Sequence, residues 1–187
     1  MPVKWLMHWQ PNQGVTLTTQ ILTEACQCVE SQLGGAKDGR WKTALTYYRP
    51  ALREASASGD LPRELLGVAL HDQLGSYYFL LRAHRLILQA DSSMQALMDK
   101  LQSYKPRVVL NFEVEYLPLS SIEKSRQILE DFFDIWQDTV KKRSLPGHFI
   151  LVEPNFADYG LQDHYTPQHT AVQYATCMTQ LMAAVRN

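Results

Sequence analysis

The spacing of apolar residues changes abruptly in the second half of the chain, and this change constrains the fold more than any other feature. Alternate positions are apolar across residues 107–116, which is typical of a strand with one buried face. Across residues 122–140 the apolar positions recur at helical spacing, which predicts an amphipathic helix. Pro118 separates the two segments, and Ser120 with Glu123 is predicted to cap the helix. A half-buried strand is therefore followed at once by a long helix that faces a core.

Shorter segments with the same two periods occupy the rest of the chain. The first helix is predicted to be capped by Thr16 and closed by Gly34 and Gly35, and the last to begin at Pro167. The predicted strands are residues 3–9, 40–48, 65–71, 77–81, 86–89, 107–116 and 149–152, and the predicted helices are residues 17–33, 92–101, 121–143 and 167–185. Strands and helices do not alternate as in a doubly wound sheet, so this order predicts an α+β fold. Its core would be an antiparallel sheet or barrel flanked by about four α-helices, in a single domain over residues 1–187.

Charge and composition exclude several classes of function. The chain carries 18 basic and 19 acidic side chains, a net charge of −1, and so lacks the basic excess typical of nucleic-acid-binding proteins. No apolar run approaches the roughly 18 residues that cross a bilayer, and residues 1–9 lack the apolar stretch of a secretory signal. The odd number of cysteines, three, argues against a disulfide framework and for a reducing compartment. We therefore expect neither direct nucleic-acid binding nor a membrane role.

The strongest candidate for chemistry lies near the start of the last helix. Asp163, His164 and His169 place a carboxylate and two imidazoles close together in sequence, and such groups ligate metals or transfer protons. Their spacing matches no established ligand motif, and polar residues at a helix start have an ordinary capping role. A small metal-dependent hydrolase that uses these three residues stands as an alternative function.

Two other pairs have a simpler structural explanation. Glu113 and Glu115 point to the same side of their strand about 7 Å apart, a separation that suits paired catalytic carboxylates, but a solvated sheet face accounts for them. Cys26 and Cys28 point about 160° apart on a helix and cannot share a metal. The sequence has no glycine-rich phosphate loop and no nucleophile elbow. The residues alone therefore predict no catalytic, cofactor-binding or metal site.

Aromatic residues on the predicted strands indicate a protein-binding surface. Tyr77, Tyr78 and Phe79 are consecutive, so both faces of their strand carry aromatic rings. An outer face that no helix covers would form an exposed apolar patch of the kind that marks protein–protein contact. Because aromatic anchors dominate interface energies, the outward-facing strand aromatics are the predicted partner contacts. They are Trp41, Tyr47, Tyr77 and Phe79.

An ordered set of short segments extends over nearly the whole chain. It comprises Thr46-Tyr47-Tyr48, Val68-Ala69-Leu70-His71, Ile87-Leu88-Gln89-Ala90-Asp91, a helix with Leu97, Met98, Lys100 and Leu101, the strand Val114-Glu115-Tyr116, a helix with Leu129, Phe132 and Phe133, and Tyr165 followed by Val172-Gln173-Tyr174. In this order the segments resemble the Mediator subunit 20 family, a head-module component of the transcriptional Mediator complex. The family usually has one further pair of strands where this chain has only residues 105–112.

The resemblance implies a barrel-like β-sheet flanked by helices, with a scaffolding role and without catalysis or a cofactor. It also implies a stable, direct pair with Mediator subunit 18. The pair would be held through the C-terminal region of Mediator subunit 8, with other head-module subunits as neighbours. A subunit of this kind would act in the nucleus, in a coactivator that conveys regulatory signals to RNA polymerase II. An unrelated α+β adaptor domain is the remaining alternative, and it differs only in its partner.

Overall fold

Eight β-strands and four α-helices make up the described part of the chain in a computed structural model. The structure describes residues 1–36, 39, 42–48, 65–98, 103–104 and 111–184. The strands are β1 (Val3–Pro11), β2 (Ala44–Tyr48), β3 (Leu65–Ala69), β4 (Ser76–Leu81), β5 (Leu86–Asp91), β6 (Ser103–Tyr104), β7 (Asn111–Tyr116) and β8 (Gly147–Leu151). The helices are α1 (Thr19–Gln32), α2 (Ser93–Met98), α3 (Ile122–Lys142) and α4 (Pro167–Ala184). The predicted α+β class is confirmed, since every strand pair among them is antiparallel.

Most of the predicted elements are present in the described residues with shifted ends. Trp41, Leu101 and the first residues of the predicted strands 40–48 and 107–116 lie outside the described residues. The last helix begins at Pro167 as predicted. None of the helices in the described part is long and apolar enough to cross a membrane.

The strands form two open sheets. One has three strands in the order β7-β1-β8, and the other has five in the order β5-β4-β3-β2-β6. Closing a sheet into a barrel requires its edge strands to pair with each other. Within the described residues β5 and β6 lie at opposite edges of the larger sheet and do not pair. The barrel form of the prediction is therefore not found there, although the antiparallel sheet and its flanking helices are.

The chain divides into two compact units. The first unit contains Met1–Arg40, Val108–Val152 and Asp163–Tyr165, and the second contains Trp41–Arg107, Glu153–Gln162 and Thr166–Asn187. Each unit draws on separate stretches of the chain, so neither is one continuous segment. The expectation of a single domain stays a prediction.

The core of the first unit lies against the central strand β1. Trp9 packs with Phe149 at a centroid distance of 5.1 Å, and Phe112 packs with Trp136 at 5.0 Å. Such aromatic pairs contribute about 0.5–1.5 kcal/mol beyond their buried area. The predicted apolar stripe of α3 is confirmed, because its buried members face this core. They are Leu129, Trp136 and Val140.

Helices α1 and α3 begin slightly later than the sequence predicted. Thr18 rather than Thr16 caps α1, because the Thr18 hydroxyl accepts the Ile21 backbone N–H at 3.3 Å. Ser121 rather than Ser120 caps α3 in the same way. A cap depends on which hydroxyl reaches a free N–H of the first turn, and neighbouring Ser or Thr residues are equivalent candidates in sequence.

The sheet of the second unit has buried apolar residues on both faces. The strand register places Tyr47, Leu66 and Leu80 on one face. Tyr48, Tyr77 and Phe79 lie on the opposite face, where Met94 and Met98 of α2 pack against them. Helix α4 contacts each of the strands β2 to β5. Burial on both faces accounts for the nearly continuous apolar run of β4.

Candidate functional site

Two of the predicted partner contacts, Tyr77 and Phe79, lie with Tyr48 in an aromatic cluster of the second unit. The Tyr77 and Phe79 rings meet edge to face with centroids 4.9 Å apart, and the Tyr48 ring lies 6.4 Å from that of Phe79. The Tyr48 and Tyr77 hydroxyl groups form a buried hydrogen bond of 2.9 Å. We call these three residues the aromatic cluster. Its rings and its hydroxyl pair hold β2 and β4 together across β3.

The prediction that Tyr47, Tyr77 and Phe79 face outward is wrong. All three are buried, with Tyr77 only 1% exposed. Tyr47 lies on the face opposite to the aromatic cluster, so the three side chains do not share one surface. Alternation along a strand shows which residues share a face but not which face a helix covers. Trp41 lies outside the described residues, and contact of these four residues with a partner stays a prediction.

The apolar side chains that reach solvent are elsewhere, and sequence reasoning did not select them. On β5, Leu86 and Leu88 are 43% and 46% exposed. The available signal was the uncharged run Leu86-Ile87-Leu88, which was predicted as part of a strand and not as an exposed surface. Other exposed large apolar residues in the described part are Leu22, Leu74, Leu97, Leu117, Ile128 and Ile135.

Asp163, the carboxylate of the proposed metal set, caps helix α3. Its Oδ1 accepts the Glu123 backbone N–H at 2.7 Å, and its Oδ2 accepts the Ser121 hydroxyl at 2.6 Å. These hydrogen bonds, led by the one from Ser121, hold the pKa of the Asp163 carboxyl below its usual value. The negative charge also lies at the positive end of the α3 dipole. Asp163 therefore has a structural role that its position in the sequence did not reveal.

His169 is a buried polar residue of the second unit, with both ring nitrogens engaged. Nδ1 accepts the Thr166 backbone N–H at 3.1 Å and lies 2.9 Å from the Thr166 hydroxyl. The ring hydrogen then belongs on Nε2, which donates to the Gln162 carbonyl at 2.9 Å. The Phe156 ring packs against the imidazole at 4.8 Å. This network fixes the start of α4.

The third member of the proposed metal set, His164, is exposed. Its backbone forms an isolated bridge to Ser121. Across the residues that the structure describes, no three or more His, Cys, Asp or Glu side chains are arranged to hold a metal ion. The geometry therefore does not favour the hydrolase alternative, since Asp163 and His169 already serve as structural hydrogen-bonding groups.

Lys4 of β1 lies beside the two glutamates of β7. Its Nζ is 3.0 Å from Glu113 Oε1 and 3.9 Å from Glu115 Oε1. The predicted solvated face is wrong for Glu113, whose side chain is 8% exposed, whereas that of Glu115 is 38% exposed. Strand pairing brings the lysine to a carboxylate that is 109 residues away in sequence. The spacing of neighbouring residues therefore could not predict this ion pair. The buried charge is neutralised by a buried partner.

Comparison with known proteins decides the family. A family model described as the TATA-binding related factor of subunit 20 of the Mediator complex matches residues 1–111 and 109–179. The chain belongs to the Mediator subunit 20 family. Mediator of RNA polymerase II transcription subunit 20b from Arabidopsis thaliana is 44% identical over 216 residues, which cover 100% of this chain and 98% of that relative. No solved structure matches the chain.

The family match falls into two ranges along the chain. The two matched ranges meet at residues 109–111, inside the short segment 105–112. The alignment with the Arabidopsis relative runs over 216 residues, whereas this chain has 187. The relative therefore contains residues that have no counterpart here. As a Mediator subunit, the chain is a component of a transcription coactivator and acts with other Mediator subunits in transcription regulation.

Proposed function

We propose that this chain is a non-enzymatic structural subunit of the Mediator head module and acts in the nucleus. The observation that carries the proposal is the family match, which spans residues 1–111 and 109–179. The side chains that were the candidates for catalysis or metal binding in the sequence support the proposal as well. Asp163 caps a helix, His169 orders the start of α4, and Glu113 is paired with Lys4. Each of these groups stabilises the fold.

The proposed direct partner is Mediator subunit 18. The C-terminal region of Mediator subunit 8 would complete the same submodule, and contact with RNA polymerase II would be indirect, through the assembled complex. The net charge of −1 supports attachment through proteins, because binding to nucleic acid depends on neutralising phosphates with basic residues. Exposed leucine and isoleucine side chains in both units offer apolar contact area for such partners.

Co-expression with Mediator subunit 18 followed by size-exclusion chromatography tests the pairing. We expect a one-to-one complex that persists at high salt, because salt screens charge pairs and leaves apolar contacts intact. A complex that forms only at low salt would indicate a mainly electrostatic interface instead. Separate elution, with this chain folded and monomeric, would contradict the pairing.

Trp41, Tyr47, Tyr77 and Phe79 remain the proposed contact residues, and their burial dictates the design of the variants. Alanine at Tyr77 or Phe79 would empty the aromatic cluster, so Tyr77→Phe and Phe79→Leu, which keep most of the apolar volume, are the better variants. Phe149→Leu in the core of the first unit is the matched control. Weaker binding to subunit 18 by the two cluster variants, with stability no lower than that of the control, would support the assignment. Equal binding by all three variants would contradict the assignment of Tyr77 and Phe79 as contact residues.

A further inference from the structure

The outer edge of β5 directs backbone groups away from the sheet. Strand β5 pairs with β4 in a continuous register that runs from Ser76↔Asp91 to Leu81↔Leu86. The Ser92 backbone N–H donates to the Gly75 carbonyl at 3.2 Å, which sets the phase of the ladder. Hydrogen-bonded pairs alternate in an antiparallel ladder. The backbone groups of Leu86, Leu88 and Ala90 therefore face β4, and those of Ile87, Gln89 and Asp91 face outward.

These outward groups are not hydrogen-bonded to any part of the chain that the structure describes. Strand β5 ends the order of the larger sheet, and β4 is its one pairing strand there. No backbone bond outside the ladder reaches Ile87, Gln89 or Asp91. An edge of this kind is a template for another strand.

The edge also lacks most of the features by which sheet edges usually prevent unwanted pairing, and its one charged residue, Asp91, is the last residue of the strand. The sequence Leu86-Ile87-Leu88-Gln89-Ala90-Asp91 contains no Lys and no Pro, and its register shows no bulge. Leu86 and Leu88 lie on the same face as Phe79 and are almost half exposed. A strand that is apolar, unbulged and open on its outer side needs a covering segment to be stable against aggregation.

We propose that β5 binds an extended β-strand of another Mediator subunit, which continues the five-stranded sheet beyond its present edge. The incoming strand supplies backbone partners for Ile87, Gln89 and Asp91, and its alternate apolar side chains pack on Leu86 and Leu88. The inference rests on the proposed function only for the source of the strand.

Hydrogen-exchange mass spectrometry on fragments that span residues 86–91 tests the proposal directly. The free recombinant chain is compared with the same chain purified through a tag within the assembled Mediator complex. In the free chain we expect slow exchange at the ladder amides of Leu86, Leu88 and Ala90 and fast exchange at the three outward amides. In the complex the outward amides become slow as well, because each gains a hydrogen-bond partner.

Two substitutions at Gln89 distinguish the contribution of its outward backbone N–H from that of its side chain. Gln89→Pro removes an outward N–H without removing a bond to β4, whereas Gln89→Ala keeps the N–H and loses only the side-chain bond to Ser76. We expect Gln89→Pro to weaken incorporation into the complex about ten-fold relative to Gln89→Ala, the size expected for one lost hydrogen bond. Leu88→Lys is expected to weaken it too, while Leu74→Lys, a change at an exposed leucine of the turn before β4, has no effect.

Four outcomes are distinguishable. Protection of the outward amides in the complex, together with the loss caused by Gln89→Pro, supports the proposal. Unchanged fast exchange in a complex that does form overturns it and leaves the Mediator assignment standing. A homodimer of the free chain with these amides already protected overturns it in favour of a second copy as the occupant. A chain that purifies without any other subunit contradicts both the proposed function and this inference.

Discussion

The hydroxyl groups of Tyr48 and Tyr77 lie 2.9 Å apart, directly over Gly67 of the strand between them. A Cβ atom at Gly67 would overlap the Tyr77 hydroxyl and would lie 2.8 Å from Tyr48 Cε2. The glycine thus makes room for a buried hydrogen bond that satisfies two polar groups inside an apolar cluster. This explains a glycine in the middle of a strand, where the residue would otherwise weaken the sheet.

Replacing Gly67 with alanine is expected to destabilise the protein by about 2 kcal/mol, because the added methyl group forces the tyrosine pair apart. The change in the free energy of unfolding is measured by urea denaturation. Gly75→Ala is the matched control, since a Cβ at Gly75 meets no atom within 4 Å. Equal effects of the two substitutions would show that the close packing at Gly67 is unimportant.

Removing Lys4 from its buried pair with Glu113 is expected to cost about 3–5 kcal/mol, because the Glu113 charge then stays buried without the lysine. Lys4→Met should show this loss in urea denaturation, and Glu113→Leu should show a smaller one, because Glu115 Oε1 still lies 3.9 Å from Lys4 Nζ. The double variant should recover at least about 2 kcal/mol of the summed loss, since no unpaired charge remains. Glu130→Ala, which breaks the exposed pair with Arg126, should change stability by less than about 0.5 kcal/mol. Strictly additive losses would rule out the coupling.

Removing the Asp163 cap is expected to destabilise α3 and the fold by about 1 kcal/mol at pH 7. The pKa of Asp163 is lowered in the folded state, so this stabilisation is present above the unfolded pKa of about 3.9 and is lost as the pH falls through the folded value. The difference between the wild type and Asp163→Ala, measured by urea denaturation, should therefore shrink in acid. His164→Ala should be nearly neutral at every pH. A similar loss for both variants would revive a shared metal-binding role.

Protonation of His8 is expected to destabilise the fold. Burial, helped by the nearby His148, lowers the pKa of His8 from its ordinary value of 6.5. Between the folded pKa and 6.5 the unfolded chain binds more protons than the folded chain. Stability is therefore fully present above pH 6.5 and falls as the pH decreases toward the folded pKa. Thermal unfolding from pH 7.5 to 5 should show a steeper loss for the wild type than for His8→Gln, and parallel curves would contradict the assignment.

Several features of the fold were predictable because their causes are local. The closure of α1 is one, since Gly34 takes a φ of +67° and the Gly35 backbone N–H donates to the Val29 carbonyl at 3.0 Å. Pro167 at the start of α4 is another, because its missing N–H would be unpaired there in any case. The apolar stripe of α3 and the alternation along β7 depend only on residue spacing. The family resemblance likewise rested on the order of such local segments.

The candidate surface was less predictable because it depends on what covers each face. The sequence placed Tyr77 and Phe79 together on one side of β4, and the structure agrees. It did not show that α2 and Tyr48 bury that side, so the outward assignment was wrong. The position of β5 as the last described strand of its sheet was missed for the same reason. The spacing of apolar residues along a strand does not show the order in which strands pair.

By itself the sequence determined where most of the helices and strands lie, which residues share a face and which family the order of segments resembles. Those properties follow from backbone geometry and side-chain spacing over a few residues. Only the tertiary structure decided that Lys4 meets Glu113, that Asp163 caps a helix 40 residues earlier, and that β5 is the last strand of its sheet in the part of the chain that the structure describes. These relationships depend on strand register and on packing between distant segments, which local periodicity does not encode.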